Sequence, residues 1–260
     1  MLRNLFQYDP ALFQGAQQAE IPQCYFPGIQ VMTVRQTNTP AKGLFLAAKG
    51  GTNAESHNHN DIGHYIVYLN GQPCLCDAGV EAYSRKTFSP ARYELWTMQS
   101  GYHNTVNING YDQCAGSAFA ATDVSYRDGR NPSLSMNMGQ AYPPEAQVIR
   151  YRRKITLHRE SGAIMVLDDV ALHACEKPLV LPLLCACEPQ LIGDAVRFPV
   201  DGGTLQLSLP KGCFVPSVEA IPLSDSRLQQ AWGLPCLYRL LLTRTQRKTS
   251  DTFTLTFRAI

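Results

Sequence analysis

The chain has 260 residues, 45% of them apolar and 17% charged, with a net charge of +2. That length suits one large domain or two small ones, and the composition is that of a globular chain rather than a disordered one. So small a net charge argues against a nucleic-acid or membrane partner, and an acidic polymer would have to be met by a local group of arginines. The longest apolar run, 179–187, contains Pro182 and is too short to cross a bilayer.

In chain order, residues 1–15 lack the apolar stretch of a secretory signal. From Cys24 the pattern is β. Runs 30–35 and 43–48 predict strands joined by turn residues at 39–42. Gly50-Gly51-Thr52-Asn53 then leads into Ser56-His57-Asn58-His59-Asn60-Asp61-Ile62-Gly63-His64, where three of the six histidines fall within nine residues. In an extended segment alternate side chains share a face, which would pair His57 with His59 and turn Asn58 and Asn60 away. Two imidazoles on one face are half of a first-row metal site.

Residues 64–69 and 72–77 predict two strands, and Asn70-Gly71 between them is a strong hairpin signal. Antiparallel pairing there returns Asp77 to the neighbourhood of His59. Further on, His103 precedes a short predicted strand, 106–108, that ends in a turn. Two histidines, one aspartate and an open position suit zinc. The reading is that His59, Asp77 and His103 bind the metal and His57 stays free for chemistry, although spacing does not fix that division. The loop between the ligands, 81–101, carries Tyr83, Arg85, Lys86, Arg92 and Tyr93. Arginine forks suit carboxylates and aromatic faces suit sugar rings, so Tyr83, Arg85 and Arg92 are candidate substrate-binding residues for an acidic saccharide.

Later strands are predicted at 122–127, 134–138, 148–158, 163–172, 179–187, 195–200, 204–209, 237–244 and 252–257, with one short helix at 224–232. Arg150, Arg152, Arg153 and Lys154 read as an exposed strand face. Asp168-Asp169 reads as a turn or cap at a strand end, and His158 and His173 as structural. No phosphate-cradling glycine loop, G-x-S-x-G or internal repeat occurs. Many short strands at regular spacing predict an all-β fold, a large multi-sheet antiparallel β-sandwich. The nine cysteines include no C-x-x-C pair and read as buried free thiols. That favours a reducing compartment such as the cytoplasm, with periplasmic or secreted locations following if a leader precedes this chain. Oligomeric state is open, a homodimer included.

The ordered landmarks H-N-H-N-D-x-G-H-Y from His57, C-D-A-G from Cys76, S-P-A-R-Y from Ser89 and Y-H-N-T-V-x-I-N-G-x-x-Q from Tyr102 resemble the β-sheet domain of the heparinase II/III family of polysaccharide lyases. The resemblance runs from about Phe26 to about Asp169 and is compositional beyond. It implies a supersandwich-like β-domain over 21–260, with 1–20 a linker or the remnant of a helical region. It also implies a zinc held by His59, Asp77 and His103, and His57 in the active site. In that family an α/α toroid precedes the β-domain and supplies a tyrosine with asparagine or histidine partners. Nothing here matches that segment, so this chain is expected to bind metal and saccharide while lacking part of the catalytic machinery, as a truncated piece or a stand-alone domain. Two rivals fit less well. A metallo-β-lactamase motif places histidine directly after the aspartate, where this chain has Ile62, and a cupin requires a glutamate after the H-x-H pair. A non-catalytic, zinc-stabilised carbohydrate-binding module is the remaining alternative.

Overall fold

The computed structural model describes residues 22–39 and 41–260. Among the described residues, sixteen strands form two antiparallel sheets packed face to face. The first sheet uses β1 (Gln23–Phe26), β2 (Val31–Arg35), β3 (Leu44–Lys49), β4 (Tyr65–Leu69) and β5 (Gln72–Leu75). The second begins with β6 (Thr122–Arg127), β7 (Ser133–Asn137), β8 (Val148–His158) and β9 (Ala163–Leu172). The chain then crosses to β10 (Val180–Cys185), returns through β11 (Gln190–Ile192), β12 (Ala195–Val200) and β13 (Gly203–Ser208), and crosses again to β14 (Phe214–Pro222). The helix α1 (Ser226–Trp232) precedes β15 (Cys236–Arg244) and β16 (Ser250–Ala259). The sheet orders are β1-β2-β3-β4-β5-β10-β15-β14 and β11-β12-β13-β16-β9-β8-β7-β6. This is the expected β-sandwich.

Strict alternation drives the layering. In β3, Leu44, Leu46 and Ala48 are buried, and in β4, Tyr65, Val67 and Leu69 are buried. These residues meet the inward face of the other sheet, including Leu134, Ile155, Val166 and Phe257, in one apolar core. The turn Asn70-Gly71 has both residues at positive φ, 50° and 80°, the condition of the tight turn that matches strand twist. Asn70 also accepts Gly43 N–H at 2.9 Å and donates to Gly202 O at 3.0 Å, tying the hairpin tip to both neighbours. Helix α1 is capped by Asp225, whose Oδ1 accepts the N–H groups of Arg227 and Leu228. It covers a smaller apolar cluster of Cys76, Ala78, Leu184, Leu228 and Leu237, and Trp232 donates to Ala78 O at 3.0 Å. The helix thereby clamps the segment that follows β5.

Several expectations are corrected. Residues 106–108 form no named strand; Asn107 makes an isolated bridge to Val180, and Ile108 one to Tyr111. Asp168 and Asp169 lie inside β9 rather than at its end. Arg153 is not on the exposed face. In β8 the inward positions are Tyr151, Arg153, Ile155 and Leu157, and of the four basic residues only Arg152 and Lys154 are exposed. Strand β14 was not foreseen because Pro216 and Pro222 interrupt it, yet it is an edge strand, where a missing N–H is tolerated. All nine cysteines are free thiols, and Cys74, Cys76 and Cys185 are buried.

Candidate metal centre and the loop that carries it

The segment 56–64 is a looped approach to β4, not a strand. His57 has φ +58°, which breaks the alternation that would have paired it with His59. Instead the two asparagines are buried and organise the loop, while the histidines diverge. Asn58 Nδ2 donates to Tyr93 Oη at 3.2 Å, and Asn60 Nδ2 donates to Gln113 O at 3.2 Å. Gln113 closes the loop from the other side. Its Oε1 accepts Ile62 N–H at 2.9 Å and its Nε2 donates to Ile62 O at 2.8 Å. Hydrogen bonds between buried amides of this kind specify one loop conformation.

Three of the predicted residues come together. One donor atom from each of His59, Asp77 and His103 lies within 4.8 Å of the others. Asp77 follows β5, and His103 follows a short 3-10 turn, Ser100–Tyr102. His103 Nδ1 lies 2.9 Å from Gln99 O. A carbonyl can only accept, so Nδ1 carries the proton and Nε2 is turned inward, 3.2 Å from His59 Nδ1 and 3.3 Å from Asp77 Oδ2. An imidazole whose outer N–H is fixed by a carbonyl is the usual setting of a metal-binding histidine. Asp77 Oδ1 accepts Gly79 N–H at 2.7 Å, which leaves Oδ2 facing the cluster. Two imidazole nitrogens and one carboxylate oxygen fit a divalent first-row cation such as zinc.

The electrostatics agree. Burial works to raise the Asp77 carboxyl, but its hydrogen bond with His103 and the charges of His103, His64 and His59 outweigh that and hold it well below the usual carboxylate range. Burial works to lower His103, yet the hydrogen bond and charge of Asp77 raise it above an ordinary histidine. His59 is lowered by burial, with Asp77 only partly opposing. The pocket therefore favours one positive charge beside Asp77, the position a cation would take.

Around this cluster sit groups that were not singled out from sequence. His64, at the start of β4, is edge-on to His103 with ring centroids 5.1 Å apart. Burial, and next the charge of His103, push its imidazole down to about 3, so it is neutral. Arg153 lies beneath the centre. It forms a two-point ion pair with Asp168, at 2.7 and 2.8 Å, and its Nη1 donates to Gly63 O at 3.0 Å and Asn104 O at 2.8 Å. One guanidinium thus braces both loops, next to His64 on one side and His103 on the other. Period-two counting along β8 from Tyr151 would have found it; the run of basic neighbours concealed it.

The candidate catalytic and substrate-binding residues sit on the loops 56–64 and 81–101 that lead to the ligands. His57 is exposed and stacks on Tyr83, with centroids 6.0 Å apart and planes inclined by 11°. Tyr83 is 50% exposed and meets Phe88, 67% exposed, edge-on. The Arg227 guanidinium of α1 sits 5.1 Å over the Tyr83 ring. Arg85 is exposed. Arg92 is committed to the fold: Nε and Nη2 donate to Asn58 O at 3.0 and 2.9 Å, and Nη1 donates to Thr87 O at 2.9 Å. His158 and His173 belong to neither group.

The sequence profile described as "Heparinase II/III-like, C-terminal" matches residues 29–217. The chain belongs to that family. The match extends past Asp169, beyond which the resemblance in sequence is compositional. Among solved structures, this heparinase II/III-like domain is similar to the heparan sulfate lyase HepC from Pedobacter heparinus, with a TM-score of 0.71 and 15% identity, over 92% of this chain and 36% of that one. It is also similar to a heparinase III, with a TM-score of 0.67 and 14% identity, over 92% of this chain and 36% of that one. At such identities the likeness is one of fold. The domain spans about a third of the length of those lyases. No curated protein sequence matches it.

Proposed function

We propose that this heparinase II/III-like domain holds one zinc ion through His59, Asp77 and His103. In the same reading it presents His57 to a uronic-acid-containing polysaccharide, heparan sulfate- or alginate-like, for cleavage by β-elimination. The observation that carries the reading is the convergence of the three donor atoms within 4.8 Å, beside an exposed imidazole stacked on an aromatic face. Bound zinc supplies positive charge that fixes the three side chains and, through His59, the loop that carries His57.

In β-elimination a base takes the proton on C5, next to the uronate carboxylate, and the C4–O4 bond breaks to leave an unsaturated sugar and a protonated O4. The carbon acid is weak, so the negative charge must be met as the proton leaves. His57 serves there as the base or as a donor that stabilises the charge. The Tyr83 stack limits its ring to one orientation, and Tyr83 and Phe88 offer an apolar face to a sugar ring. In this reading the exposed Arg85 meets the uronate. Arg92 keeps the His57 loop in place through Asn58. The acid that protonates O4 is assigned to an α/α toroid, a domain for which the greater length of the neighbouring lyases leaves room.

Elemental analysis tests the metal. About one zinc per chain is expected in the wild type and in His57→Ala. It should be lost in His59→Ala, Asp77→Ala and His103→Ala. No metal in the wild type, or metal retained without Asp77 or His103, would refute the site. Incubation with heparan sulfate or alginate, followed by the ultraviolet absorbance of the unsaturated product, tests the reaction. The exposed Tyr83–Phe88 face also favours a second reading, a non-catalytic saccharide-binding module. Binding without new absorbance selects it.

A further inference from the structure

We infer that His64 is a positioning residue of the metal centre, donating its Nε2 proton to Asp77 Oδ2 and so orienting the carboxylate toward the ion. The inference rests on the zinc reading above and assigns a part to a histidine outside the proposed ligand set.

His64 is 5% exposed, and its backbone is held on both sides. Its N–H donates to Asp61 O and its carbonyl accepts Lys49 N–H, each at 3.0 Å. Its Nδ1 faces the backbone N–H of Asn104 at 2.9 Å. A backbone amide can only donate, so Nδ1 is the acceptor and the neutral ring carries its proton on Nε2. That Nε2 is buried and makes no hydrogen bond. The carboxylate oxygen it faces is Asp77 Oδ2, at 3.6 Å. A buried N–H left unpaired is costly, and a small movement of the Asp77 carboxylate satisfies it.

The same tautomer argument excludes His64 as a fourth ligand. Coordination through Nε2 would need the proton on Nδ1, where it would point at the Asn104 N–H. Asn104 cannot turn away. Its side chain donates to Tyr65 O at 2.6 Å and accepts Leu184 N–H at 2.7 Å, which locks it between β4 and β10. The centre is therefore one of three protein ligands and one open position. Of the two Asp77 oxygens, Gly79 N–H holds Oδ1 and His64 steers Oδ2. Partners that orient a ligand in this way typically change metal affinity by about 10- to 100-fold.

Two substitutions separate orientation from packing. In His64→Asn, Oδ1 takes the place of Nδ1 and still accepts the Asn104 N–H, but the side chain is too short to reach Asp77. In His64→Gln the terminal amide reaches the position of Nε2 and keeps the donor. Zinc affinity is measured by competition with a chromogenic chelator, and ligand geometry by the visible spectrum of the cobalt(II) form. The expectation is that His64→Asn keeps the stoichiometry of the wild type but binds about 10- to 100-fold more weakly with an altered cobalt spectrum, and that His64→Gln restores both. Independently of any variant, the nitrogen chemical shifts of His64 in the wild type should report a protonated Nε2.

Equal affinity in His64→Asn and wild type overturns the inference. So does equal weakening in both variants, which would be a packing effect, and so does a proton on Nδ1. A wild type that takes up no zinc refutes the metal reading itself, and the role of His64 falls with it. A wild type that binds zinc while His64→Asn binds it as tightly refutes only the role.

Discussion

Replacing Arg153 by methionine tests whether the ion pair beneath the centre holds the loops together. Arg153 is 1% exposed and Asp168 is 0% exposed. The substitution leaves Asp168 buried without its counter-charge and removes the donors to Gly63 O and Asn104 O. Breaking one side of a buried pair costs about 3–5 kcal/mol, most of it the stranded charge. The double variant Arg153→Met, Asp168→Leu removes both charges. It should recover about 2–3 kcal/mol of that loss, stopping short of the wild type because the two carbonyls stay without their donor. Urea denaturation of the wild type, both single variants and the double variant gives the coupling energy directly. A single-variant loss below about 1 kcal/mol, or a double variant at the sum of the singles, would refute the account.

Acid should destabilise the metal-free protein through His64. Its folded pKa of about 3 lies below the unfolded value of about 6.5, so the unfolded chain binds the extra proton in between, and stability falls as the pH drops through that window. His103, raised by Asp77, is charged in both states through that window, while His59, also lowered, and Asp77, held low, add to the fall. Unfolding free energies from urea denaturation between pH 7 and pH 4 should fall, with His64 contributing up to about 1.4 kcal/mol per pH unit; a flat profile in the wild type, or an unchanged one in His64→Asn, contradicts the assignment. The two candidate saccharide arginines should separate by assay. Arg92→Ala should cost about 1–2 kcal/mol of stability, since its donors to Asn58 O and Thr87 O are lost from a half-buried position. Arg85→Ala should leave the melting temperature unchanged and weaken binding of a heparan sulfate oligosaccharide in calorimetry; the reverse pattern would exchange their roles.

Local rules made much of this domain legible. The predicted bounds 148–158 and 163–172 are those of β8 and β9, Asn70-Gly71 set the hairpin that returns Asp77, and the run 224–232 marked α1. The ordered landmarks from His57 to Gln113 marked the family, and residue chemistry selected His59, Asp77 and His103 before they were seen to converge. These signals depend on neighbours a few residues apart, and a one-dimensional pattern carries such information. Other features depend on groups far apart in the chain. The segment of His57 is looped rather than extended because Asn58, Asn60 and Gln113 bury their amides together. Arg153 is inside because Asp168 lies beside it across β8 and β9, at their cross-strand pair. The His64 tautomer is decided by one amide N–H forty residues away, on Asn104. Buried polar groups must find partners wherever the fold brings them, so the sequence named the candidate ligands, while only the tertiary structure decided which groups hold them in place.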